Sequence, residues 1–290
     1  MTNDLNVKNK TYISERGYGI KKSEFNYKIL NNIKEELTVS PRSLNSFNGN
    51  ITSYKIYIES NKKIYIPKYY GLQKFGIPDV NKLLDGIDIN IKFNGKLRDN
   101  QVKPVENFLE AANDPLKMGG LINLSCGGGK TCCSLYIISK LQKKTLVVVH
   151  KDFLLKQWRE RIEQFLPDAR VGLIKAKIID IEDKDIVVAS LQSLSMKDYD
   201  KGTFDEFGFV VYDEIHHLSA EVFSRALFKT NFKYSLGLSA TMTRKDGLTK
   251  VFKWHIGEIV YKNRKKTIDN VDVICYQYYN EDKSYSKEEL

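Results

Sequence analysis

The segment that most constrains this chain is Leu121–Tyr136, in which an apolar run ends in three consecutive glycines followed at once by Lys130 and Thr131. Apolar residues then recur at the spacing of one helix face, at positions Cys133, Ile137, Ile138 and Leu141. The segment is therefore predicted to form a buried strand, a tight loop and a helix.

Such a loop suits a polyanion. Glycines at 127, 128 and 129 let the backbone approach phosphates without a Cβ in the way, and the following helix adds the positive end of its dipole. Lys130 is then expected to reach the β- and γ-phosphates of a nucleotide, and the Thr131 hydroxyl to ligate Mg²⁺. Leu124 stands where the strict phosphate-loop pattern has glycine, so a chance Gly-Lys-Thr in a glycine-rich turn is the alternative.

Composition excludes several classes of protein. The 290 residues are 42% apolar, and no apolar run reaches the roughly 18 residues of a membrane span. The polar N-terminus lacks the apolar centre of a signal peptide, which favours a soluble intracellular protein in the cytoplasm, nucleus or a viral particle or factory. Lys and Arg exceed Asp and Glu by 46 − 36 = 10, an excess that indicates either a polyanionic partner or a device for solubility.

Four cysteines do not have the spacing of a zinc site. They are Cys126, Cys132, Cys133 and Cys275. We interpret them as small core residues, with Cys126 as a candidate exposed thiol.

Residues 1–92 are predicted to form a small α+β domain. Ser23–Leu37 has helical apolar spacing, and Tyr54–Ile58 with Ile64–Ile66 reads as a hairpin that Pro67 and Gly71 close. The segment is rich in Lys, Asn and Tyr. It either contacts nucleic acid through aromatic and cationic side chains or only packs against the larger domain.

From residue 93 the pattern changes to apolar strands alternating with amphipathic helices, as in α/β proteins with a parallel sheet covered on both faces. A helix is predicted to end near Ala112, another to span Asp152–Leu166, and a third to follow a cap at Ser219. Strands are predicted near Gly120–Leu124, Thr145–His150, Val171–Ile174, Asp185–Leu191, Phe209–Tyr212 and Ser235–Ser239.

Two acidic residues, Asp213 and Glu214, follow the apolar run Phe209–Tyr212. At the end of a buried strand beside a phosphate loop, Asp213 can hold Mg²⁺ and Glu214 can take a proton from the attacking water. A strand end that only enters solvent is the alternative when no phosphate loop is present. Ser239 and Thr241 end the last of these strands. Their hydroxyls can bridge the acidic loop to the ligand that the protein moves.

Together these residues resemble the first motor domain of a superfamily two helicase, over about residues 94–263. Leu97–Gln101 resembles the adenine-recognising segment, Ser125–Thr131 is similar to motif I, and Val147–Trp158 to motif Ia. Asp213–His216 is similar to motif II in its DExH form, and Ser239–Thr241 to motif III.

One branch of the superfamily is favoured. Thr243–Leu248 followed by Trp254–Gly257 resembles the XPB branch, which includes the transcript-release helicases of poxviruses and other large DNA viruses. Arg244, Lys245 and Asp246 occupy the place of an Arg-Glu-Asp element there.

The resemblance implies a fold and a set of roles. The fold is α/β, a RecA-like (P-loop) parallel sheet with helices on both faces over residues 93–263, preceded by the small α+β domain and followed by a linker over 264–290. ATP is implied to bind with Mg²⁺ on Thr131 and Asp213, with Glu214, Lys130 and Asp213 catalytic. The implied nucleotide-binding residues are Arg98, Gln101, Ser125, Cys126, Gly127, Gly128, Gly129, Lys130, Thr131 and His216. Ser239 and Thr241 are implied to couple hydrolysis to movement.

Nucleic-acid contacts are expected on the same side of the sheet. Lys151 and Lys156 follow a strand end, where ligands of α/β proteins bind, and Ser190 and Gln192 are assigned by resemblance together with Arg244 and Lys245. The resemblance to XPB favours DNA over RNA.

The predicted function is an ATP-dependent helicase or translocase acting on DNA in transcription or repair. An RNA helicase, and a non-catalytic ATP- and nucleic-acid-binding subunit completed by a partner chain, are the alternatives. Such motors close ATP against a second RecA-like domain that supplies arginines worth roughly a thousandfold in rate. We expect that domain in cis, in a longer parent protein, or in trans, and low activity of the 290-residue chain by itself.

Overall fold

The computed structural model describes residues 10–40, 53–214, 220–241 and 247–263. In chain order the strands are β1 Thr11–Ser14, β2 Gly17–Lys21, β3 Thr38–Val39, β4 Tyr54–Lys55, β5 Ile58–Glu59, β6 Lys63–Ile66, β7 Val80–Asn81, β8 Gly119–Asn123, β9 Thr145–Val149, β10 Val171–Lys175, β11 Ile178–Asp180, β12 Ile186–Ser190, β13 Phe209–Tyr212, β14 Tyr234–Ser239 and β15 Ile259–Lys262. The helices are α1 Tyr27–Glu36, α2 Lys68–Phe75, α3 Asp99–Ala112, α4 Lys130–Leu141, α5 Asp152–Phe165, α6 Leu191–Met196, α7 Ala220–Lys229 and α8 Thr249–Ile256.

The larger sheet has eight strands in the order β11-β10-β12-β9-β13-β14-β8-β15. Every neighbouring pair is parallel except β10 with β11. Its central strands are buried because helices cover both faces: α3, α4 and α5 supply one apolar cluster, and α6, α7 and α8 the other. The predicted α/β parallel sheet is confirmed. None of the helices in the described ranges has the length and apolar character needed to cross a membrane.

The N-terminal part forms a five-stranded sheet in the order β5-β6-β2-β1-β7 and a separate pair of β3 with β4. Its apolar core includes Tyr18, Ile33 and Ile66, and it continues into Met118 and Val251 of the α/β part. The N-terminal part, predicted as a small α+β domain, is a small strand-rich unit that packs directly on the larger sheet and its helices.

The predicted hairpin of Tyr54–Ile58 with Ile64–Ile66 is wrong in its pairing. Tyr54 and Lys55 pair with Val39 and Thr38 of β3, and only Ile58–Glu59 pairs with β6. Pro67 and Gly71 do not close a turn, since Pro67 precedes α2 and Gly71 lies within it. A Cβ at Gly71 would lie 2.2 Å from Cγ of Tyr18, so this glycine serves close packing.

The predicted strands of the large sheet agree with the observed ones to within one or two residues. The helix predicted over Ser23–Leu37 is shorter, because Asn26 caps α1 by accepting a hydrogen bond from the backbone N–H of Lys28. Ser219, His216, Cys275 and the linker over 264–290 lie outside the described residues, and the domain boundary near residue 92 stays a prediction.

Candidate nucleotide-binding site

The predicted phosphate loop joins β8 to α4, which begins at Lys130. Gly127 and Gly129 both have left-handed backbones, with φ of 73° and 84°, a region that glycine alone visits readily. A Cβ at Gly129 would lie 1.9 Å from Nε2 of Gln101. Gly128 lies between them and donates its N–H to the carbonyl of Ser125 at 3.0 Å. The loop therefore folds tightly against the start of α3, and it presents the first turn of α4 to the cavity beside it.

Asp213 and Glu214 follow β13 and meet this loop. The Lys130 ammonium lies 2.6 Å from Oε1 of Glu214, and both side chains are largely buried. Asp213 is 7% exposed, and its Oδ2 accepts a 2.8 Å hydrogen bond from the indole Nε1 of Trp158. The lysine and both carboxylates predicted from the sequence thus converge at one place.

Burial raises the pKa of Asp213, an effect that the neighbouring Glu214 increases and that the hydrogen bond from Trp158 and the charge of Lys130 oppose. A buried carboxylate with a raised pKa is one whose charge the protein compensates incompletely. A cation at this position would stabilise its ionised form.

Glu214 has a left-handed backbone with φ of 49°, which is uncommon for a residue with a side chain. Strained residues of this kind persist where the surrounding structure holds them, and they cluster at functional sites. The turn directs Glu214 towards Lys130 directly after the strand.

One cavity of about 610 Å³ unites these residues. The residues predicted for nucleotide binding or catalysis that line it are Arg98, Gln101, Ser125, Cys126, Gly127, Gly129, Lys130, Thr131, Asp213 and Glu214. Its other lining residues were not predicted as site residues, namely Lys96, Cys132, Leu154, Gln157, Arg161 and Phe165. The cavity combines an apolar wall with cations and two carboxylates, as a nucleotide requires.

Arg98 and Gln101 connect the first turn of α3 to the phosphate loop. The Arg98 guanidinium donates to the carbonyl of Gly127 at 3.2 Å, and the Arg98 backbone N–H donates to Oε1 of Gln101 at 2.8 Å. Gln101 is only 2% exposed. Its amide supports the loop in this conformation, and its contact with adenine stays a prediction.

The oxygen donors fit Mg²⁺. This ion is held in nucleotide sites by one or two carboxylates together with substrate phosphates. Asp213 and Thr131 supply a buried carboxylate and a hydroxyl to the same cavity.

The predicted coupling residues lie beside the phosphate loop. Asn123, at the end of β8, donates from Nδ2 to the carbonyls of Ser239 and Ala240 at 3.2 and 2.8 Å. Ser239 is fully buried and Thr241 is exposed, and the Thr241 N–H donates to Oγ of Ser239 at 3.2 Å. Strand β8 is thus bonded to the Ser-Ala-Thr segment.

The predicted nucleic-acid residues lie outside the nucleotide cavity. Ser190 pairs with Val149 on the neighbouring strand, so Ser190 and Lys151 lie near the same edge of the sheet. Gln192 is exposed at the start of α6. Lys156 is 84% exposed and lies 3.7 Å from Glu160 on the outer face of α5. Arg244 and Lys245 lie outside the described residues.

Sequence reasoning missed Trp158 and Asn123. Trp158 was assigned to an apolar helix face and to the end of the segment similar to motif Ia, but not as a site residue, yet a buried indole N–H needs an acceptor. Asn123 is a polar residue within the apolar run that leads into the loop. Each was a polar group in a buried context, and that was the available signal.

Comparison with known proteins agrees with this geometry. The profile of the family described as type III restriction enzyme, res subunit, matches residues 94–244, just over half of the chain. A candidate ATP-dependent RNA helicase of Acanthamoeba polyphaga mimivirus is 34% identical over 275 residues, covering 93% of this chain and 52% of the relative. The DNA 3'-5' translocase XPB2 of Sulfurisphaera tokodaii is 34% identical over 172 residues, covering 59% of this chain and 37% of the relative.

Among solved structures, the UvsW helicase from bacteriophage T4 superposes with a TM-score of 0.56 at 16% identity, covering 81% of this chain and 94% of that chain. This likeness supports the fold. The chain spans about half the length of the mimivirus relative and a smaller share of the translocase. The chain belongs to the family of the type III restriction enzyme res subunit, among the superfamily two helicases, on the branch of XPB and the helicases of large DNA viruses.

Proposed function

We propose that this chain is the ATP-binding part of a helicase or translocase that couples ATP hydrolysis to movement along a nucleic acid. The observation that carries the proposal is the convergence of Lys130, Glu214 and Asp213 on a glycine loop at the start of a helix, within one cavity. An ion pair with a purely structural role would not need a phosphate loop beside it. Nor would it need a strained Glu214 backbone, or a buried Asp213 whose charge is incompletely compensated.

In the proposed reaction Lys130 exchanges its partner. Its ammonium leaves Glu214 and binds the β- and γ-phosphates, while backbone N–H groups of the loop and the start of α4 hold the remaining charge. The Glu214 carboxylate, no longer paired, accepts a proton from the water that attacks the γ-phosphorus as the bond to ADP breaks. Thr131 and Asp213 would hold Mg²⁺, which would supply positive charge to stabilise the phosphate oxygens.

The nucleic acid is proposed to be DNA, contacted through Lys151, Lys156, Ser190, Gln192, Arg244 and Lys245. The support for DNA is the resemblance to XPB, together with the relative named as a DNA translocase. The mimivirus relative is named for RNA, so RNA is the competing substrate. Phosphate contacts serve both polymers.

A second RecA-like domain, in cis or in trans, is proposed to close over the cavity and to supply transition-state arginines. His216 is proposed to sense the γ-phosphate and, with Ser239 and Thr241, to pass its state to the nucleic-acid side. Without that domain the chain is expected to bind ATP and to hydrolyse it slowly.

The test is ATP hydrolysis by the 290-residue chain with duplex DNA, single-stranded DNA or RNA, compared with Glu214→Gln and Lys130→Ala. Stimulated turnover that Glu214→Gln abolishes would support a complete motor and would name its polymer. Saturable ATP binding without turnover, lost in Lys130→Ala, would support a site that needs a second domain. Absence of ATP binding by the intact chain would overturn the proposal.

A further inference from the structure

A second groove, separate from the nucleotide cavity, lies between the N-terminal part and helices α6 and α7. Its volume is about 820 Å³, larger than that of the nucleotide cavity. It is lined by Arg16, Tyr54, Lys55, Tyr57, Ile58, Ser195, Met196, Asp198, Ser224, Arg225, Phe228 and Lys229. No predicted site residue is among them.

The charges of this groove favour an anion. Four cations line it, Arg16, Lys55, Arg225 and Lys229, against the single carboxylate of Asp198. Asp198 lies 3.8 Å from Lys229, so it offsets that one cation. The side chain of Arg16 is 62% exposed, and Lys55 and Arg225 are exposed as well.

Two acidic residues of the N-terminal part are sequence neighbours of lining residues. Glu15 lies 3.9 Å from the Arg16 guanidinium, and because both side chains are exposed this pair reduces the charge of Arg16 only weakly. Glu59, next to the lining residue Ile58, is paired with Lys22 at 2.5 Å and with Lys34 at 2.6 Å. Those two ion pairs lower the pKa of Glu59. Its charge is therefore compensated within the N-terminal part.

Aromatic and apolar side chains line the groove together with the cations. Tyr54 and Tyr57 line the groove on either side of Lys55, whose ammonium lies 5.9 Å from the centroid of the Tyr57 ring. Met196 is 81% exposed and Ile58 42% exposed, both unusually open for large apolar residues. Solvent-facing apolar surface rimmed by charge typically marks a binding site.

We infer that this groove binds a single-stranded segment of nucleic acid, with phosphates against Arg16, Lys55 and Arg225 and bases against the tyrosines and Met196. Cations that follow the backbone, interleaved with aromatic rings on which bases stack, are the recurring design of single-strand sites. In a duplex the base faces are covered by their neighbours, so the tyrosines would find no partner there. An acidic peptide would satisfy the cations and leave the aromatic surface without a function.

This inference rests on the proposed function and extends it to the N-terminal part. The groove is lined from two sides, by β4, β5 and Arg16 of the N-terminal part and by α6 and α7 of the α/β part. A strand bound in it would contact both parts at once. The N-terminal part then contributes directly to substrate binding, which is the first of the two roles that its Lys- and Tyr-rich sequence left open.

The first test is a double charge reversal, Lys55→Glu with Arg225→Glu, in the 290-residue chain. Lys28→Glu with Lys103→Glu is the matched control, because both lysines are exposed and neither lines a described cavity. Binding of a fluorescein-labelled 20-nucleotide single strand, as DNA and as RNA, is measured by anisotropy at several salt concentrations. ATP binding is measured in parallel with a fluorescent analogue.

The groove variant is expected to bind the single strand at least about tenfold more weakly than the control does. Its log–log salt slope should be smaller by about 1.4, or about 0.7 for each phosphate that the variant no longer neutralises. ATP binding should not change. Equal single-strand affinity in the two double variants would overturn the inference. An equal weakening for duplex DNA would also overturn it, because the paired bases of a duplex cannot stack on the tyrosines.

The second test needs no variant. A single strand carrying 5-iodouracil is crosslinked to the unmodified chain, and the attachment sites are mapped by mass spectrometry. Crosslinks within residues 53–58 or at Met196 support the groove. Crosslinks confined to the segments after Val149 and Ser190 would overturn it while leaving the proposed motor function intact. A chain that binds ATP but no polymer would overturn both the groove and the nucleic-acid partner.

Discussion

At the scale of single residues, the main finding is that Trp158 takes part in the candidate nucleotide site. Its indole packs in the core at 1% exposure and also donates to Oδ2 of Asp213. A hydrogen bond from a buried, closely packed side chain helps to fix the orientation of a buried carboxylate. We therefore assign Trp158 as a positioning residue for the proposed Mg²⁺ ligand Asp213.

The change Trp158→Phe removes the donor and keeps an aromatic ring. We expect several-fold more Mg²⁺ to be needed for half-maximal ATP binding, because the carboxylate is no longer oriented. Titration of Mg²⁺ at fixed ATP measures this. Trp254→Phe is the control, since that tryptophan lies on α8 and packs against Tyr70 of α2. If both variants had the Mg²⁺ dependence of the unmodified chain, the assignment would be wrong.

Glu214 pairs with Lys130, the residue proposed to bind the phosphates of ATP. The change Glu214→Gln weakens its pairing with Lys130 and removes a negative charge beside the phosphates. We expect ATP to bind a few-fold more tightly while hydrolysis is lost, as measured by fluorescent-nucleotide titration and phosphate release. Glu206→Gln is the control, because it breaks a comparable ion pair with Lys144 outside the nucleotide cavity. Weaker ATP binding in Glu214→Gln would contradict the proposed exchange of partners.

Site residues could be predicted from the sequence where they belong to contiguous motifs. Lys130, Asp213 and Glu214 each follow a recognisable pattern, and the structure brings them together. Trp158 and Arg161 enter the same site from α5, and their positions in the sequence do not indicate which group they face. Their contribution depends on the tertiary packing of α5 on β9 and β12, which brings them beside the end of β13.

At the scale of elements, the loop between β8 and α4 depends on one glycine more than on its neighbours. Gly129 combines a left-handed φ with a side chain, that of Gln101, directly in the space a Cβ would occupy. Gly127 is also left-handed but has nothing within 4 Å of that position. Substituting each glycine in turn therefore distinguishes the cost of backbone strain, which both positions share, from the cost of a steric clash, which arises only at Gly129.

Gly129→Ala is expected to destabilise the chain by about 1–3 kcal/mol and to weaken ATP binding, since the new methyl group adds a clash with Gln101 to the strain of about 1–2 kcal/mol. Gly127→Ala should cost only the strain. Urea unfolding and nucleotide titration of both variants measure the difference. Equal effects would mean that the contact between α3 and the loop does not shape the site.

The two parts of the chain differed in how well their elements could be predicted. The parallel strands are continuous apolar runs buried on both sides, and that pattern fixes them to within one or two residues. Strands β3, β4, β5 and β7 have two residues each. That is too short for an alternation of apolar and polar residues to be recognised in the sequence. Helix α2 was missed because Gly71 and Pro67 are local breakers that tertiary packing overrode.

At the scale of the whole molecule, buried polar contacts join the N-terminal part to the α/β part. The Lys68 ammonium donates to the carbonyls of Phe232 and Lys233 at 2.8 and 3.0 Å. The Tyr69 hydroxyl lies 2.6 Å from that of Ser235. These contacts fix the two walls of the proposed single-strand groove relative to each other, so their strength bears on its geometry.

Lys68 makes this junction sensitive to pH. Burial lowers its pKa to about 7 in the folded chain, whereas an unfolded lysine has a pKa of about 10.4. Between these values the unfolded chain binds one more proton than the folded chain. The free energy of unfolding should therefore rise with pH from about 7 to about 10, by at most about 1.4 kcal/mol per pH unit from this group. Below pH 7 both states are protonated, and the contribution no longer changes.

The change Lys68→Met removes this titration. The difference in unfolding free energy between the unmodified chain and Lys68→Met should increase in favour of the unmodified chain as the pH rises from 7 to 9.5, as measured by urea unfolding at each pH. The tyrosines that begin to ionise near pH 9.5 are the same in both proteins, so their contribution largely cancels in this difference. Lys28→Met, at an exposed position of α1, controls for the loss of one lysine. A difference that does not vary with pH would mean that Lys68 stays charged, held by its two carbonyl acceptors and by the Tyr69 ring centroid at 4.6 Å.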